Sequence, residues 1–115
     1  MDDPSIQQII EAMPSRFNPE ASNGADLVLQ FFLSGEQART FYAEISGPRC
    51  AVKEGEHVAP TLTLKMSDTT YIDMVMGRMT GQHAFFTRKL RYEGPIALAI
   101  RLHRFFSPAT EPATS

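Results

Sequence analysis

The side chains that could carry catalysis or bind a metal ion are sparse in this sequence. The histidines, His57, His83 and His103, lie too far apart to form a His-Glu-x-x-His motif or a Cys/His set with zinc spacing. Asp68 and Asp73 would not converge on one helix face, and Asp68 is better explained as the first residue of a helix, where negative charge is favourable. The sequence also lacks a Gly-x-Ser-x-Gly elbow and a glycine-rich phosphate loop. We therefore expect no enzymatic activity, no cofactor and no metal site.

Length and composition favour a single globular domain. The 115 residues are enough for a modest core, and 43% of them are hydrophobic. The single cysteine, Cys50, has no internal disulfide partner and is expected to be a small core residue. No stretch approaches the roughly 18 apolar residues of a membrane span, and the acidic start does not resemble a secretory signal. We expect a cytoplasmic location, with residues 1–106 as the domain and 107–115 as a disordered tail.

Charge is distributed unevenly along the chain. The net charge is −2, which predicts no nucleic-acid binding. Region 78–104, however, contains a single acid, Glu93, and six bases: Arg78, Arg88, Lys89, Arg91, Arg101 and Arg104. Such a basic region, which also contains several aromatic residues, can make transient contact with an anionic membrane surface. Each basic residue near the headgroups contributes about 1 kcal/mol of binding free energy. The alternative is that these are ordinary solvated positions on the backs of strands and helices.

Five segments have the period-two alternation of half-buried strands. In residues 62–66, Leu62, Leu64 and Met66 share one face. The other segments are predicted to face inward at Leu27, Leu29, Phe31 and Leu33; at Phe41, Ala43 and Ile45; at Cys50 and Val52; and at Leu90 and Tyr92. Because short turns link most of these strands, we expect mainly antiparallel pairing.

Three segments are predicted to be helical. Residues 4–13 are amphipathic and are expected to end at Pro14. A second helix follows Ser67, and a third begins at Pro95 and is expected to extend to about Phe106. The fold class is therefore α+β, a five-stranded, mainly antiparallel sheet covered on one face by helices. The apolar side chains between the layers either close into a dry core or leave an apolar cavity.

The order of these features resembles the sterol carrier protein type 2 (sterol-transfer) family. The resemblance rests on Met-Ser-Asp (66–68), Met-Gly-Arg-Met (76–79), Gln-His-Ala-Phe-Phe (82–86), Lys-Leu-Arg-Tyr (89–92) and Leu-Ala-Ile-Arg-Leu (98–102). It is closest over residues 62–106 and extends loosely back to about Leu27. Two departures, Arg88 in place of a usual Gly and Pro95 after the Gly, fall at turns and concern only local loop geometry.

The resemblance implies a hydrophobic tunnel between sheet and helices that holds fatty acyl chains, acyl-CoA, sterols or phospholipids. The wall positions it indicates are Phe31, Ile45, Leu64, Ile72, Val75, Met76, Phe85, Phe86, Ile100, Leu102 and Phe105. A plain core would account for each of these residues equally simply. The flexible methionines of segment 74–79 would suit ligands of varied shape. Arg101 and Arg104, on the otherwise apolar last helix, are candidates to pair with a lipid carboxylate or phosphate.

Two functions from different classes are consistent with these features. The first is non-enzymatic intracellular binding or transfer of hydrophobic lipids. The second is an accessory module that presents a lipophilic intermediate to, or dimerises with, a biosynthetic enzyme, as in a ubiquinone-type pathway. The broad apolar last helix is also compatible with a homodimer. A third possibility, a small hydrolase or isomerase, lacks a catalytic set of residues.

Overall fold

The computed structural model describes residues 3–22, 24, 26–101 and 104–106, and the predicted tail lies outside these ranges. The strands are β1 (Asp26–Ser34), β2 (Arg39–Ser46), β3 (Arg49–Glu54), β4 (Leu62–Ser67) and β5 (Leu90–Glu93). The helices in the described ranges are α1 (Ile6–Arg16), α2 (Pro19–Ser22), α3 (Asp68–Val75), α4 (Gly81–Phe86) and α5 (Ile96–Arg101). All five predicted strands are therefore present, close to their predicted positions.

The strands form one sheet in the order β3-β2-β1-β4-β5. Neighbours pair antiparallel except at the centre, where β1 and β4 run parallel with Leu29 opposite Leu62 and Ser34 opposite Ser67. This register aligns the inward-facing side chains of the three central strands, and the following are all buried: Leu29, Phe31, Phe41, Ala43, Ile45, Leu62 and Leu64. The predicted fold class is confirmed, and the apolar cavity between the layers stays a prediction.

Helix α1 packs against β3 at one side of the sheet. It begins with a capping box, in which the Gln8 N–H donates to Ser5 Oγ at 3.1 Å and the Ser5 N–H donates to Gln8 Oε1 at 2.8 Å. Its apolar face is buried through Ile6, Ile9, Ile10 and Met13. The amphipathic pattern of the sequence therefore identified both this helix and the face that it buries.

The prediction that Pro14 ends α1 is wrong. The helix continues to Arg16 because a proline in the last turn removes only one intrahelical hydrogen bond. The hydroxyl of Ser15 donates to the Ala12 carbonyl at 2.8 Å and stabilises that turn. A short helix, α2, follows at Pro19–Ser22.

The junction between β4 and α3 is held by two polar side chains. Ser67 caps α3, as predicted, by accepting a hydrogen bond from the Thr70 N–H at 3.1 Å. Asp68 is buried, and its carboxylate accepts from the N–H groups of Gln37 and Thr69, both at 2.8 Å. Because Gln37 lies between β1 and β2, Asp68 also ties α3 to the opposite half of the chain, beyond its predicted effect on the helix dipole.

The predicted last helix does not reach Phe106. Helix α5 covers Ile96–Arg101 among the described residues, and Phe106 forms a β-bridge with Phe17, with the two ring centroids 5.8 Å apart. The Asn18 N–H also donates to the Phe105 carbonyl at 2.7 Å. A helix extended to Phe106 could not form this pairing with the chain that follows α1. None of the helices in the described ranges is long and apolar enough to cross a bilayer.

Gln30 fixes the segment that joins β3 to β4 over the outer face of the sheet. Its side chain points outward yet is only 1% exposed. Its Nε2 donates to the carbonyls of Phe41 and Gly55, both at 3.0 Å, and its Oε1 accepts from the His57 N–H at 2.7 Å. The His57 ring in turn contacts Tyr42, with centroids 5.2 Å apart. These contacts hold the crossover segment against the sheet.

The contact between Gly35 and Asp68 gives a stability prediction. Gly35 has φ +110, and a Cβ there would overlap the Asp68 carboxylate, 2.8 Å from its Cγ. We expect Gly35→Ala to lower the free energy of unfolding by about 3 kcal/mol, because backbone strain adds to the loss of buried hydrogen bonds. Urea denaturation followed by circular dichroism would measure the change.

Gly55→Ala is the matched control, because Gly55 has φ +104 and open space around the added Cβ. Its expected loss is about 1–2 kcal/mol, from backbone strain alone. Equal losses in the two variants would contradict the role given to the Gly35–Asp68 approach.

Candidate functional site

The inner face of the sheet and the helices enclose one apolar layer. Four predicted lipid-contacting residues are buried in it: Phe31, Ile45, Leu64 and Ile72. Phe31 stacks on Phe41 with centroids 4.7 Å apart and an interplanar angle of 10°, and Tyr71 packs at a tilt against both rings. In this structure the four residues belong to the core, and their contact with lipid stays a prediction.

The layer is less completely buried toward the end of α3. Val75, Met76, Met74 and Met79 are each partly buried and packed against the core. The helix ends here because Gly77 takes a positive φ of 79°, and its N–H donates to the Met74 carbonyl at 3.1 Å. The predicted methionine lining therefore lies at the boundary between core and solvent, where flexible thioether side chains can adapt to a ligand.

Large apolar side chains are exposed on α4 and α5. The exposed fractions are 43% for Phe85, 78% for Phe86, 60% for Ile96 and 56% for Ile100. Phe85 packs against Tyr92 of β5, with centroids 5.4 Å apart, and Tyr92 packs against the core. The predicted tunnel residues on these two helices therefore lie at the surface, and Phe85 adjoins the buried layer through Tyr92.

The remaining predicted site residues lie near the C-terminus. Phe105 is buried, but it lies beyond the end of α5 and not on that helix as predicted. Leu102 lies outside the described residues. Arg101 and Arg104, the candidate headgroup ligands, are both exposed, so a charged ligand can reach them from solvent.

Two open grooves, each of about 450 Å³, flank the turn between α4 and β5. The first is largely apolar and is lined by Phe85, Phe86, Arg88, Leu90, Arg91 and Tyr92. The second lies partly over the outer face of the sheet, and its lining includes Phe32, Thr40, Lys65, Arg88, Lys89 and Arg91. Arg88 and Arg91 line both grooves. The turn therefore places cationic side chains between an apolar surface and a polar one.

Arg88 has a left-handed backbone conformation, with φ 65°. It occupies the position after the C-cap in a Schellman motif, in which its N–H donates to the Phe85 carbonyl at 3.0 Å and the Lys89 N–H donates to the Ala84 carbonyl at 2.8 Å. Glycine is usual at this position, and a side chain there costs about 1 kcal/mol. The presence of Arg88 in place of the usual glycine therefore does not change the geometry of the turn. It places a cationic side chain there at a cost of about 1 kcal/mol.

Ion pairs distinguish Arg78 from the basic residues of the α4–β5 turn. Arg78 is held by Asp3 at 2.8 Å and by Asp73 at 2.9 Å, and hydrogen bonds to both carboxylates raise the pKa of its guanidinium. Within the described part of the chain, no carboxylate lies within 4.0 Å of the basic groups of the α4–β5 turn: Arg88, Lys89 and Arg91. Positive charge is therefore concentrated at this turn.

Two titratable groups that pack in or against the core, Cys50 and Tyr71, have raised pKa values. Burial raises the pKa of the Cys50 thiol to about 11. Burial also raises the pKa of Tyr71, whose hydroxyl donates to Met13 Sδ at 3.5 Å. Both groups are therefore protonated at neutral pH. No group of three His, Cys, Asp or Glu side chains among the described residues is placed to hold a metal ion.

The sequence offered little to identify the α4–β5 turn as a distinct surface. The predicted basic region included it, but that region also included Arg78, which is neutralised by Asp3 at the other end of the chain. Ile96, on the last predicted helix, is exposed as well, and the apolar pattern of that helix did not show which of its side chains would be. Both outcomes depend on contacts between residues that are distant in sequence.

Among curated proteins, the chain is 28% identical over 104 residues to hydroxysteroid dehydrogenase-like protein 2 of Xenopus tropicalis. The match covers 90% of this chain but 25% of the Xenopus protein. The chain thus spans about a quarter of the length of the curated relatives it matches.

The fold is shared with several solved structures, among them the following two. One is palmitated SCP2L2 from Aedes aegypti, with a TM-score of 0.69 and 19% identity over 88% of this chain and 93% of that one. The other is the sec-alkylsulfatase Pisa1 from Pseudomonas sp., with a TM-score of 0.78 and 9% identity over 93% of this chain and 17% of that one. The model of the SCP-2 sterol transfer family matches residues 6–107, nearly the whole chain. The chain therefore belongs to the SCP-2 sterol transfer family.

Proposed function

We propose that this domain binds a hydrophobic lipid between its sheet and its helices and transfers it without catalysing a reaction on it. The observation that carries the proposal is the apolar path from the buried layer through Tyr92 to the exposed ring of Phe85. Membership of the SCP-2 sterol transfer family supports the same function. The fold shared with a palmitated protein supports an acyl chain as one class of ligand.

The hydrophobic effect supplies enough free energy for such binding. Each CH₂ group removed from water contributes about 0.8 kcal/mol, so a chain of roughly 12 carbons gains about 10 kcal/mol before the costs of ordering it. This gain does not require a polar anchor. We therefore expect loose selectivity among fatty acyl chains, acyl-CoA, sterols and phospholipids.

Helix α5 is the element best suited to move when a ligand enters. Within Ile96–Arg101, Leu98 is buried while Ile96 and Ile100 are exposed. A short helix that buries few side chains is opened at low free-energy cost. We infer that an entering chain first meets these exposed side chains and then displaces α5 from the apolar layer.

Arg101 and Arg104 are proposed to bind an anionic headgroup. Both are exposed, and Arg101 is the last residue of α5. A guanidinium can donate two hydrogen bonds to a carboxylate or a phosphate, which would orient a fatty acid or phospholipid with its charge toward solvent.

The relatives favour a second, compatible role as an accessory module. In both the dehydrogenase-like protein and the alkylsulfatase, the matched region is a minor part of a longer chain. A domain of this fold is thus joined to additional sequence in proteins whose names indicate enzymes. Presentation of a lipophilic substrate to an enzyme would use the same apolar layer, and copurification with a biosynthetic enzyme would support this role.

A protein purified under native conditions, without detergent, is expected to carry lipid. Organic extraction followed by mass spectrometry should recover about one lipid per chain. A protein that is empty and also fails to take up a fluorescent fatty acid would contradict the carrier function and favour the accessory role with a filled core.

Val75→Asn is expected to lower the affinity for a fluorescent fatty acid about tenfold. The reason is that the amide of the asparagine, placed in an apolar wall, must be desolvated when the ligand binds. Val58→Asn is the matched control, since Val58 is almost fully exposed on the segment between β3 and β4. Fluorescence titration of both folded variants measures the difference. Equal affinities would remove Val75 from the proposed binding layer.

The double variant Arg101→Ala, Arg104→Ala is expected to bind a fatty acid about fivefold more weakly. This loss corresponds to the free energy that an exposed ion pair contributes. Its affinity for a fatty alcohol of the same chain length should not change, because the alcohol carries no charge. Competition against a fluorescent probe compares the two ligands. An unchanged affinity for the fatty acid would exclude these arginines as headgroup ligands.

A further inference from the structure

We propose that the α4–β5 turn docks the protein onto the surface of an anionic phospholipid bilayer. The docking surface consists of Phe85, Phe86, Arg88, Lys89 and Arg91. This proposal rests on the proposed carrier function in one respect only, the reason for docking: a lipid carrier has to meet a membrane to exchange its ligand. The binding itself is argued from the apolar, electrostatic and backbone features of the turn.

The apolar part of the docking surface is a pair of adjacent rings on α4. Phe86 is the more exposed of the two and contacts Phe85 edge-on, with centroids 5.7 Å apart and an interplanar angle of 66°. Phe85 is supported from below by Tyr92 of β5. The pair is therefore held in place by the sheet and presents aromatic surface to solvent, which is suited to the boundary between headgroups and acyl chains.

The charged part of the docking surface is complementary to anionic headgroups. Arg88, Lys89 and Arg91 are exposed, and none has a carboxylate within ion-pair distance among the described residues. Glu93 is on the same strand as Arg91, but it pairs with Lys65 at 3.3 Å. Three unneutralised cations beside exposed rings match an anionic bilayer, which offers both negative charge and an apolar interior.

The same charges disfavour a second copy of this chain as the occupant. In a two-fold symmetric dimer the surface would face itself, so the cations of one copy would lie against those of the other. Like charges brought together in this way oppose association, whereas a lipid surface neutralises them. The observations therefore favour the membrane over self-association.

The backbone of Arg88 is an independent indication that this turn has a function. Its φ of 65° is unfavourable for a residue with a Cβ, and glycine would close α4 more easily at the same position. The side chain forms no ion pair in the described structure that would offset the unfavourable conformation. A strained residue kept at an exposed turn points to a use for its side chain, here the binding of lipid phosphate.

Cosedimentation with vesicles tests the proposal on the full chain. We expect binding to vesicles of phosphatidylcholine with roughly one-third phosphatidylserine, weaker binding to phosphatidylcholine alone, and loss of binding as salt is raised. Arg88→Gly and Arg91→Gln should each weaken binding to the anionic vesicles about fivefold. Phe86→Ser should weaken it about tenfold or more, since the ring no longer leaves water.

Matched controls come from exposed positions outside the docking surface. Arg49→Gln removes an exposed arginine from β3, the other edge strand of the sheet, and Val58→Ser removes an exposed apolar side chain. Both should bind vesicles like the unaltered protein. Equal binding by control and test variants would overturn the proposal. It would also be overturned if analytical ultracentrifugation detected a dimer that Phe86→Ser abolishes while vesicle binding stays unchanged.

Arg88→Gly also separates docking from folding and from ligand binding. Because glycine suits this backbone, the variant should unfold at the same or a higher temperature while vesicle binding falls. Its uptake of a fluorescent fatty acid from solution should be unchanged. Uptake without vesicle binding in the unaltered protein would overturn the docking proposal alone, whereas vesicle binding without uptake would overturn only the proposed carrier function.

Discussion

The parallel pairing of β1 with β4 holds the two halves of the molecule together. The first half forms the β1-β2-β3 hairpins and the second contains β4, α3, α4 and β5, so no short turn sets the register between them. At one end of the pair, Thr61 and Val28 exchange hydrogen bonds of 2.9 and 3.0 Å. At the other end, the buried Asp68 carboxylate accepts from Gln37. Every inward-facing contact depends on this register, because a shift of one residue would turn the apolar side chains outward.

The helices over this sheet differ in how many apolar side chains they bury, and this difference suits a lipid carrier. On the β3 side, α1 has eleven residues, a capping box and four buried apolar side chains. Near the other end of the described chain, α5 buries Leu98 within Ile96–Arg101. Local opening costs least where the fewest contacts are broken. The proposed entry of a ligand at α5 would therefore leave the sheet and α1 intact.

Charge is organised by tertiary contacts in a way that the sequence pattern does not show. Region 78–104 is basic as a whole, but Arg78 pairs with Asp3, 75 positions away, and with Asp73. The remaining cations of the α4–β5 turn lie beside exposed rings. The proposed ligand-binding path and the proposed docking surface adjoin each other and share Phe85, so a docked protein would bring its apolar path close to the lipid.

Local patterns in the sequence were enough to predict the five strands, the inward face of each, the Ser67 cap and the family. These features depend on neighbouring residues, since side-chain alternation and capping act over a few positions. The strand order, the burial of Gln30 and the pairing of Phe106 with Phe17 were not predictable in this way. Each depends on partners far along the chain, such as His57 for Gln30 and Phe17 for Phe106, and only the folded register brings those partners together.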